Sequence, residues 1–192
     1  MMINGRELEF IEDGHIYLVD GVIVPSITEI LRVRFGDKYS NINAKTLAKA
    51  ALRGTQIHAE IESLVKNGEA ADIDEVRGFR FLQSHYDFTV CGSEIPVVLF
   101  EDDIPVGAGR LDLVLKIGDQ IGGADIKTTS TLDKDYLFYQ LNLYRIAYRQ
   151  SYGIEWTFLR GIHLRGDRRK FVEIPISDEP MDLVTEYERT HE

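Results

Sequence analysis

The sequence predicts a mixed α/β fold of the α+β type, in which a mixed central β-sheet is flanked by α-helices. The first observation behind this prediction is the order of periodicities: short strands, helices, three consecutive strands, and then helix, strands and helix. The second is a composition of 44% hydrophobic and 28% charged residues, which is typical of a globular chain. The third is the lack of repeats and linkers, which predicts one domain over residues 1–192.

The first 42 residues predict a hairpin and a short helix that precede the core of the domain. Strands are predicted at residues 8–11, 15–19 and 22–24. Asp20-Gly21 is typical of the tight turn between two such strands. Ser26 and Glu29 form a capping-box pattern, which predicts a short helix toward Arg34. We interpret residues 1–42 as an addition to the core, which covers residues 43–176.

Two helices are predicted to follow the N-terminal segment. The first extends from about residue 43 to residue 66, and Asn67-Gly68 is typical of a helix end. Its apolar stripe consists of Ala44, Leu47, Ala48, Ala51, Ile61 and Val65. Asp72 is expected to cap the second helix, which runs through Tyr86.

The remaining elements form the predicted sheet and its covering helices. Strands are expected at residues 93–100, 105–117, 120–128, 156–164 and 170–176. A helix at residues 134–152, ended by Gly153, separates the third strand from the fourth. Residues 177–192 predict an acidic C-terminal helix.

Two acidic residues on successive predicted strands are the strongest chemical signal. Side chains alternate along a strand, so Asp125 and Lys127 should point to one side while Ile126 enters the core. Asp112 should point toward a cleft, because the leucines at 111, 113 and 115 share the opposite face. An exposed residue or an ion pair with Arg110 would also explain Asp112 alone. Two neighbouring carboxylates are costly without a cation or proton, which favours a divalent metal.

Further polar residues lie at positions that could complete such a site. Gln140 and Tyr144 are one helical turn apart on the helix after Lys127, although an amphipathic helix with a half-buried glutamine would look the same. His58 falls on the inward stripe of the long helix, where a core histidine is the simpler interpretation. Gly54, one turn earlier, would allow a close approach. Glu94 either starts a strand or supplies a further metal ligand.

Charge is unevenly distributed along the chain. The formal net charge is −10, which argues against a protein coated with positive charge for nucleic acid. Residues 32–59 nevertheless carry six basic residues and one acid, and residues 160–170 carry five and one. Solvated faces explain either patch alone, whereas beside a metal site they become candidate contacts for a phosphate backbone. The candidate DNA-binding residues are Lys45, Lys49, Arg53, Arg165, Arg168 and Arg169.

The single cysteine, Cys91, excludes a disulfide framework, a cysteine-ligated zinc site and an iron–sulfur cluster. We expect this thiol to be buried and the protein to be cytoplasmic, because no apolar leader or membrane-spanning run is present. The sequence also lacks a phosphate-binding loop with a following Lys-Ser or Lys-Thr, so no nucleotide cofactor is expected.

The combined pattern resembles the PD-(D/E)XK nuclease superfamily, and is most similar to its RecB-like branch with stand-alone phage and prophage exonucleases. The resemblance rests on Gly54-Thr55-Gln56-Ile57-His58, Glu94, Gly109-Arg110-Leu111-Asp112, Asp125-Ile126-Lys127 and Gln140-Leu141-Asn142-Leu143-Tyr144. The His15-x-Tyr17 hairpin leading into Val24-Pro25-Ser26-Ile27-Thr28 is also similar to the start of phage-type members. Leu111 departs from the namesake motif, which has proline there.

The resemblance implies a restriction-endonuclease-like core and Mg²⁺- or Mn²⁺-dependent hydrolysis of DNA that leaves 5′-phosphates. It implies His58, Asp112, Asp125 and the Ile126 carbonyl as metal ligands, with Glu94 as a further candidate. Lys127 would assist the attacking water. Gln140 and Tyr144 would position the substrate or the lysine.

The predicted function is a metal-dependent DNA exonuclease of phage-type recombination or repair. The alternatives are a structure-specific endonuclease or junction resolvase of the same fold, and a non-catalytic nucleic-acid-binding module. DNA is the expected partner, and a single-strand annealing protein or a separate helicase are further candidates. A homo-oligomer is a further candidate assembly, and the alternatives for the site are one metal ion or two.

Overall fold

The computed structural model describes residues 1–36 and 43–191, which form two β-sheets with helices packed around them. The predicted boundary at residue 42, and the part of the first basic segment at residues 37–42, lie outside the described residues.

Four short strands form an antiparallel N-terminal sheet in the order β1-β2-β3-β4. Their bounds are β1 Met2–Ile3, β2 Arg6–Ile11, β3 Ile16–Val19 and β4 Val22–Val24. The predicted hairpin is confirmed, and Asp20 and Gly21 both have the positive φ that its tight turn requires. Strand β1 was not predicted, because a strand of two residues is too short to show an alternating pattern.

Five strands form the second sheet in the order β5-β6-β7-β8-β9. Their bounds are β5 Phe88–Glu101, β6 Ile104–Ile117, β7 Gln120–Lys127, β8 Phe158–Arg165 and β9 Arg168–Ile174. The β7–β8 pair is parallel and the other pairs are antiparallel, which confirms the predicted mixed sheet. Strand β5 begins five residues before its predicted start, because a bulge between Val90 and Gly92 hides the period of two.

The helices follow the sequence signals closely. Their bounds are α1 Ile27–Ile30, α2 Arg32–Phe35, α3 Ala44–Asn67, α4 Asp74–Tyr86, α5 Lys134–Tyr152 and α6 Asp182–His191, the last preceded by a 3₁₀ turn at Glu179–Met181. The Ser26–Glu29 capping box is present, and Gly68 and Gly153 end their helices in the left-handed conformation. The predicted Asp72 cap was wrong: Ile73 precedes the first turn of α4, and the Asp72 carboxylate pairs with Arg77 at 2.6 Å.

Separate cores cover the two faces of the five-stranded sheet. One includes residues of α1, α5 and α6, and the other includes residues of α3 and α4. Leu113 and Leu115 belong to the α3–α4 core, but Leu111 belongs to the α5 core. The expectation that these leucines share one face was therefore wrong at Leu111. Residues two apart on a regular strand share a face, so the alternation of β6 changes phase at Asp112.

The apolar stripe predicted for α3 is buried only in its C-terminal half. Ile61 is fully buried, whereas Ala44, Leu47, Ala48 and Ala51 are exposed. The first half of this helix projects beyond the core and forms a wall of the cleft described below.

The N-terminal sheet packs directly on the second sheet. Tyr17 and Val19 are buried with Val98 and Phe100 of β5 in a third apolar cluster. The Ala108 N–H of β6 donates a 3.0 Å hydrogen bond to the Pro25 carbonyl. This contact brings residues 1–24 to the edge of the cleft.

Two further observations concern the thiol and the membrane. Cys91 is exposed rather than buried, because it lies in the β5 bulge. Within the described ranges, none of the helices combines the length and the apolar character needed to cross a membrane.

Gly123 in β7 is expected to be intolerant of any side chain. A Cβ placed there would lie 2.0 Å from the Trp156 ring, and Trp156 is buried. Gly123→Ala should therefore lower the free energy of unfolding by about 3 kcal/mol or more, measured by urea denaturation. Gly36→Ala is the control, because its Cβ would meet only Arg32 at 3.7 Å. Equal stability of the two variants would contradict this packing.

Candidate active site

One cleft of about 1180 Å³ collects the polar residues that the sequence singled out. It lies between α3, the strands β5 to β7, the start of α5 and the N-terminal sheet. The predicted site residues that line it are His58, Glu94, Asp112, Asp125, Ile126, Lys127, Gln140 and Tyr144. Residues from five elements, namely α3, β5, β6, β7 and α5, therefore meet in one place.

Asp112 lies where strands β6 and β7 separate. Their backbone pairing ends at Leu113 and Ala124. Two residues beyond Ala124, the Ile126 N–H donates a 2.7 Å hydrogen bond to the side chain of Asp112, at Oδ2. The change of phase in β6 and the end of the ladder open a gap, and the Asp112 carboxylate fills it.

Asp125 and Lys127 point to one side of β7, as the alternation predicted. Lys127 Nζ lies 2.7 Å from Asp125 Oδ2, and the Asp125 side chain is only 5% exposed. Ile126, between them, is buried in the α3–α4 core. Burial opposes the charge of Lys127, but Asp125 and Asp112 outweigh burial and raise its pKa. The ammonium is therefore charged at neutral pH.

Asp112 carries the clearest electrostatic signature of the cleft. Burial, followed by the neighbouring Asp125, raises the pKa of its carboxyl from 3.8 to about 7. His58, Lys127 and the Ile126 N–H act in the opposite direction but do not cancel this rise. Two acids thus share a poorly solvated place, and a bound cation would relieve their repulsion.

His58 faces these acids from α3. Its Nε2 lies 3.0 Å from the Ile126 carbonyl oxygen and its Nδ1 lies 3.6 Å from Asp112 Oδ2. The inward orientation predicted from helical spacing is confirmed, and the ring meets two of the groups implied as metal ligands. Gly54, one turn earlier, permits this approach, because a Cβ there would lie 3.3 Å from Thr128 Oγ1.

Glu94 completes a group of possible ligands. One donor atom each from His58, Glu94 and Asp112 lie within 4.8 Å of one another. Glu94 has φ +51° in the interior of β5, whereas the other non-glycine residues with positive φ that the structure describes lie at turns or a helix end. Such strain is concentrated at functional sites. Glu94 lies between the residues of β5 that pair with Leu113 and Leu111, and so it is opposite Asp112, and both residues line the cleft.

These donors suit a divalent cation. Carboxylate oxygens, a backbone carbonyl and an imidazole are ligands for Mg²⁺ or Mn²⁺. The resemblance implied Asp125 as a metal ligand, but its carboxylate is paired with Lys127 and is not part of the group formed by His58, Glu94 and Asp112.

Gln140 and Tyr144 line the cleft from α5, as their spacing predicted. Both residues are buried, and Gln140 Oε1 has no hydrogen-bond partner among the described residues. Burial raises the pKa of Tyr144 well above its usual value, so its hydroxyl stays protonated. Gly109 lets this ring approach β6, since a Cβ there would lie 3.0 Å from the Tyr144 hydroxyl.

No protein-family model and no curated protein matches this chain. Among solved structures it is similar to the crystal structure of SSO0001, with a TM-score of 0.54 and 17% sequence identity. The match covers 87% of this chain and 74% of that chain. At this identity the similarity shows a common fold.

The predicted basic contacts are mostly directed away from the cleft. Within the described part of the chain, Arg165 is the only one of the six candidates that lines the cleft. Its guanidinium donates a 2.9 Å hydrogen bond to the Thr128 carbonyl. Arg53 pairs with Glu75 on α4, and Arg169 stacks 4.0 Å from the centre of the Phe81 ring. Lys45, Lys49 and Arg168 are exposed outside the cleft. On α3 the basic stripe and the cleft-lining residues occupy different faces of one helix.

Other cleft residues were not identified from the sequence. Among them are His15, Tyr17, Ser26, Thr28, Arg110, Lys134 and the hydroxyl-bearing residues 128–131. Strand alternation gave a signal for Arg110, which was considered as a partner for Asp112. The structure pairs Arg110 with Glu94 instead, with Nε 3.6 Å from Oε2.

Glu94→Gly is expected to weaken metal binding without lowering the stability of the fold. Glycine accepts a positive φ freely, so unfolding free energy should stay equal or rise by up to about 1 kcal/mol. Mn²⁺ affinity, measured by isothermal titration calorimetry, should fall by a factor of about 10 or more because one carboxylate is lost. Asp102→Gly is the control, since Asp102 also has positive φ but lies in a turn outside the cleft. Unchanged Mn²⁺ affinity in Glu94→Gly would remove Glu94 from the ligand set.

Proposed function

We propose that this chain is a metal-dependent DNA nuclease, specifically an exonuclease of phage-type recombination or repair that leaves 5′-phosphates. The observation that carries the proposal is the convergence of the His58, Glu94 and Asp112 donors with the Asp125–Lys127 pair in one cleft. A binding module has no need of acids that repel phosphate, whereas phosphodiester hydrolysis uses both a cation and a positively charged side chain.

His58, Glu94, Asp112 and the Ile126 carbonyl would hold Mg²⁺ or Mn²⁺, with Asp125 close by. The bound ion would supply Lewis-acid stabilisation of the negative charge that develops on the phosphate. A bound cation would stabilise the charged forms of Asp112 and Glu94 most, because burial raises the pKa of both carboxyls in the metal-free protein.

Lys127 supplies the fixed positive charge of the site. Its ammonium is held by Asp125 and stays protonated, so it orients the attacking water and balances charge on the phosphate. Water oxygen bonds to phosphorus as the P–O3′ bond breaks, and a proton passes to the departing 3′-oxygen. The products are a 3′-hydroxyl and a 5′-phosphate.

Gln140 and Tyr144 fit a role in positioning. Gln140 Oε1, which has no hydrogen-bond partner within residues 1–36 and 43–191, offers an acceptor in the cleft, and the protonated Tyr144 hydroxyl offers a donor. Arg165 and the hydroxyls of residues 128–131 extend this polar surface toward solvent. DNA is thus the proposed partner, in a cytoplasmic setting and with room for an annealing protein or a helicase as a separate chain.

The experiment is a cleavage assay on linear, single-stranded and closed circular DNA with and without Mg²⁺ or Mn²⁺. The proposal expects metal-dependent loss of linear DNA, resistance of covalently closed circles, and 5′-phosphates on the products. Asp125→Ala should abolish the activity while Asp119→Ala, an exposed turn residue, should retain it. Cleavage of closed circles or branched junctions indicates an endonuclease or resolvase. Salt-sensitive binding without cleavage in any metal indicates the non-catalytic module.

A further inference from the structure

Arg110 lies on the wall of the cleft at the junction of the two sheets. It belongs to β6, two residues before Asp112, and its side chain is 42% exposed. Like Asp112 it lines the cleft. A cationic side chain is therefore adjacent to the proposed metal ligands, on the side of the N-terminal sheet.

The N-terminal sheet holds this side chain in place. The guanidinium carbon lies 4.7 Å from the centre of the Phe10 ring, which is within cation–π range. The Tyr17 hydroxyl is a second neighbour of the Arg110 guanidinium. Burial raises the pKa of Tyr17, and the nearby charge of Arg110 partly offsets that rise. Phe10, His15 and Tyr17 contact one another with ring centres 4.8–5.4 Å apart. Three aromatic rings thus form a platform behind the guanidinium.

The pairing of Arg110 leaves most of its donors for a ligand. Within residues 1–36 and 43–191 its one ion pair is with Glu94, through Nε at 3.6 Å, which is too long for a strong hydrogen bond. A guanidinium carries five N–H donors in a planar fork that matches a phosphate. Glu94 is itself a proposed metal ligand, so metal binding would draw away the one carboxylate that Arg110 contacts.

We propose that Arg110, supported by Phe10 and Tyr17, binds a non-scissile phosphate of the DNA strand. The proposal rests on the proposed nuclease function and assigns residues 1–24 a part in substrate binding. Lys127 and Arg165 lie on the β7–β8 side of the metal donors and Arg110 lies on the N-terminal side. A strand that crosses the metal centre meets positive charge on both sides of the bond that is cleaved.

The test measures binding without cleavage. Fluorescence anisotropy of a labelled single-stranded oligonucleotide is recorded with Ca²⁺, in a Lys127→Ala background that does not hydrolyse it. Arg110→Ala should weaken binding by a factor of about 10 to 100 and lower the slope of log K against log salt by about 0.7. The DNA affinity of Arg110→Lys should lie between those of Arg110→Ala and the protein with Arg110 intact, because lysine keeps the charge and loses the planar fork of donors. Arg80→Ala, an exposed arginine on α4, is the matched control and should bind normally.

A second measurement separates phosphate binding from support of Glu94. Mn²⁺ affinity without DNA should be unchanged or higher in Arg110→Ala, because a positive charge beside the donors is removed. In the active background, KM should rise more than kcat falls. Phe10→Leu should weaken DNA binding several-fold with an unchanged Mn²⁺ affinity, since it removes the ring and keeps most of the packing.

Two results would overturn this assignment while leaving the nuclease intact. One is that Arg110→Ala binds DNA as tightly as Arg80→Ala in the Lys127→Ala background, while the wild-type protein cleaves DNA. The other is a loss of Mn²⁺ affinity as large as the loss of DNA affinity, which would make Arg110 a support for Glu94. A wild-type protein that neither binds nor cleaves DNA is a different result, and it contradicts the proposed function itself.

Discussion

Asp112→Asn is expected to abolish DNA cleavage and, at the same time, to stabilise the metal-free protein at pH 8. The variant removes a metal-binding carboxylate, but the asparagine Oδ1 can still accept the Ile126 N–H bond. It also removes a negative charge that burial and Asp125 make unfavourable. Loss of activity and gain of stability should therefore come from the same substitution.

The sign of the pH dependence follows from the direction of the shift. The pKa of Asp112 is about 7 in the folded protein and near 3.8 when unfolded, so its proton favours folding. This contribution is fully present below about pH 4 and is lost as pH rises through about 7. The stabilisation by Asp112→Asn should thus be negligible at pH 4 and reach roughly 1 to 4 kcal/mol at pH 8.

Thermal unfolding of metal-free wild type and Asp112→Asn between pH 4 and pH 9 measures this difference. Asp119→Asn, in the exposed turn after the same strand, is the matched control and should follow the wild type. Added Mn²⁺ should raise the unfolding temperature of the wild type and leave Asp112→Asn nearly unchanged. A variant less stable than the wild type at pH 8 would show that Asp112 stabilises the fold and does not strain it.

Lys127→Ala should also abolish cleavage, but with the opposite effect on stability. Its ammonium is the close partner of the buried Asp125 carboxylate, and removing it takes that ion pair away from a poorly solvated carboxylate. The metal-free variant should lose roughly 2 to 4 kcal/mol of unfolding free energy at neutral pH. The raised pKa of Lys127 means that this stabilisation is present at neutral pH and is lost only as pH rises through that pKa.

The expected fall in kcat for Lys127→Ala is about 10² to 10⁴-fold, because a charge that acts in the transition state is lost. Mn²⁺ affinity should be retained or increased, since a cation beside the donors is gone. Lys116→Ala provides the comparison, because Lys116 is an exposed lysine of the neighbouring strand β6. Substantial residual activity, or a kcat close to that of Lys116→Ala, would exclude Lys127 from the chemistry.

Local sequence signals were sufficient for much of this fold. Glycine stops placed the C-terminal ends of α3 and α5 to within a residue, because a helix end is set by its own neighbours. Period-two alternation correctly placed Asp125 and Lys127 on one side of β7 and Ile126 in the core. Helical spacing correctly placed His58, Gln140 and Tyr144 toward the cleft.

Features that depend on long-range packing were not predictable. The positive φ of Glu94 and the change of phase at Asp112 break the alternation on which strand prediction relies. The exposure of the first half of α3 depends on what the core leaves uncovered, and the pairing of Arg53 with Glu75 joins residues 22 positions apart. The contribution of residues 1–24 to the cleft became visible only when the N-terminal sheet was seen against β5 and β6.

The most direct test of the metal centre is anomalous diffraction from crystals soaked in Mn²⁺. The account predicts an anomalous peak within coordination distance of His58, Glu94 and Asp112, with the Ile126 carbonyl turned toward it. Under the same conditions Asp112→Asn should show no peak there. Mn²⁺ bound only at other carboxylates, with His58 still hydrogen-bonded to the Ile126 carbonyl, would contradict the account.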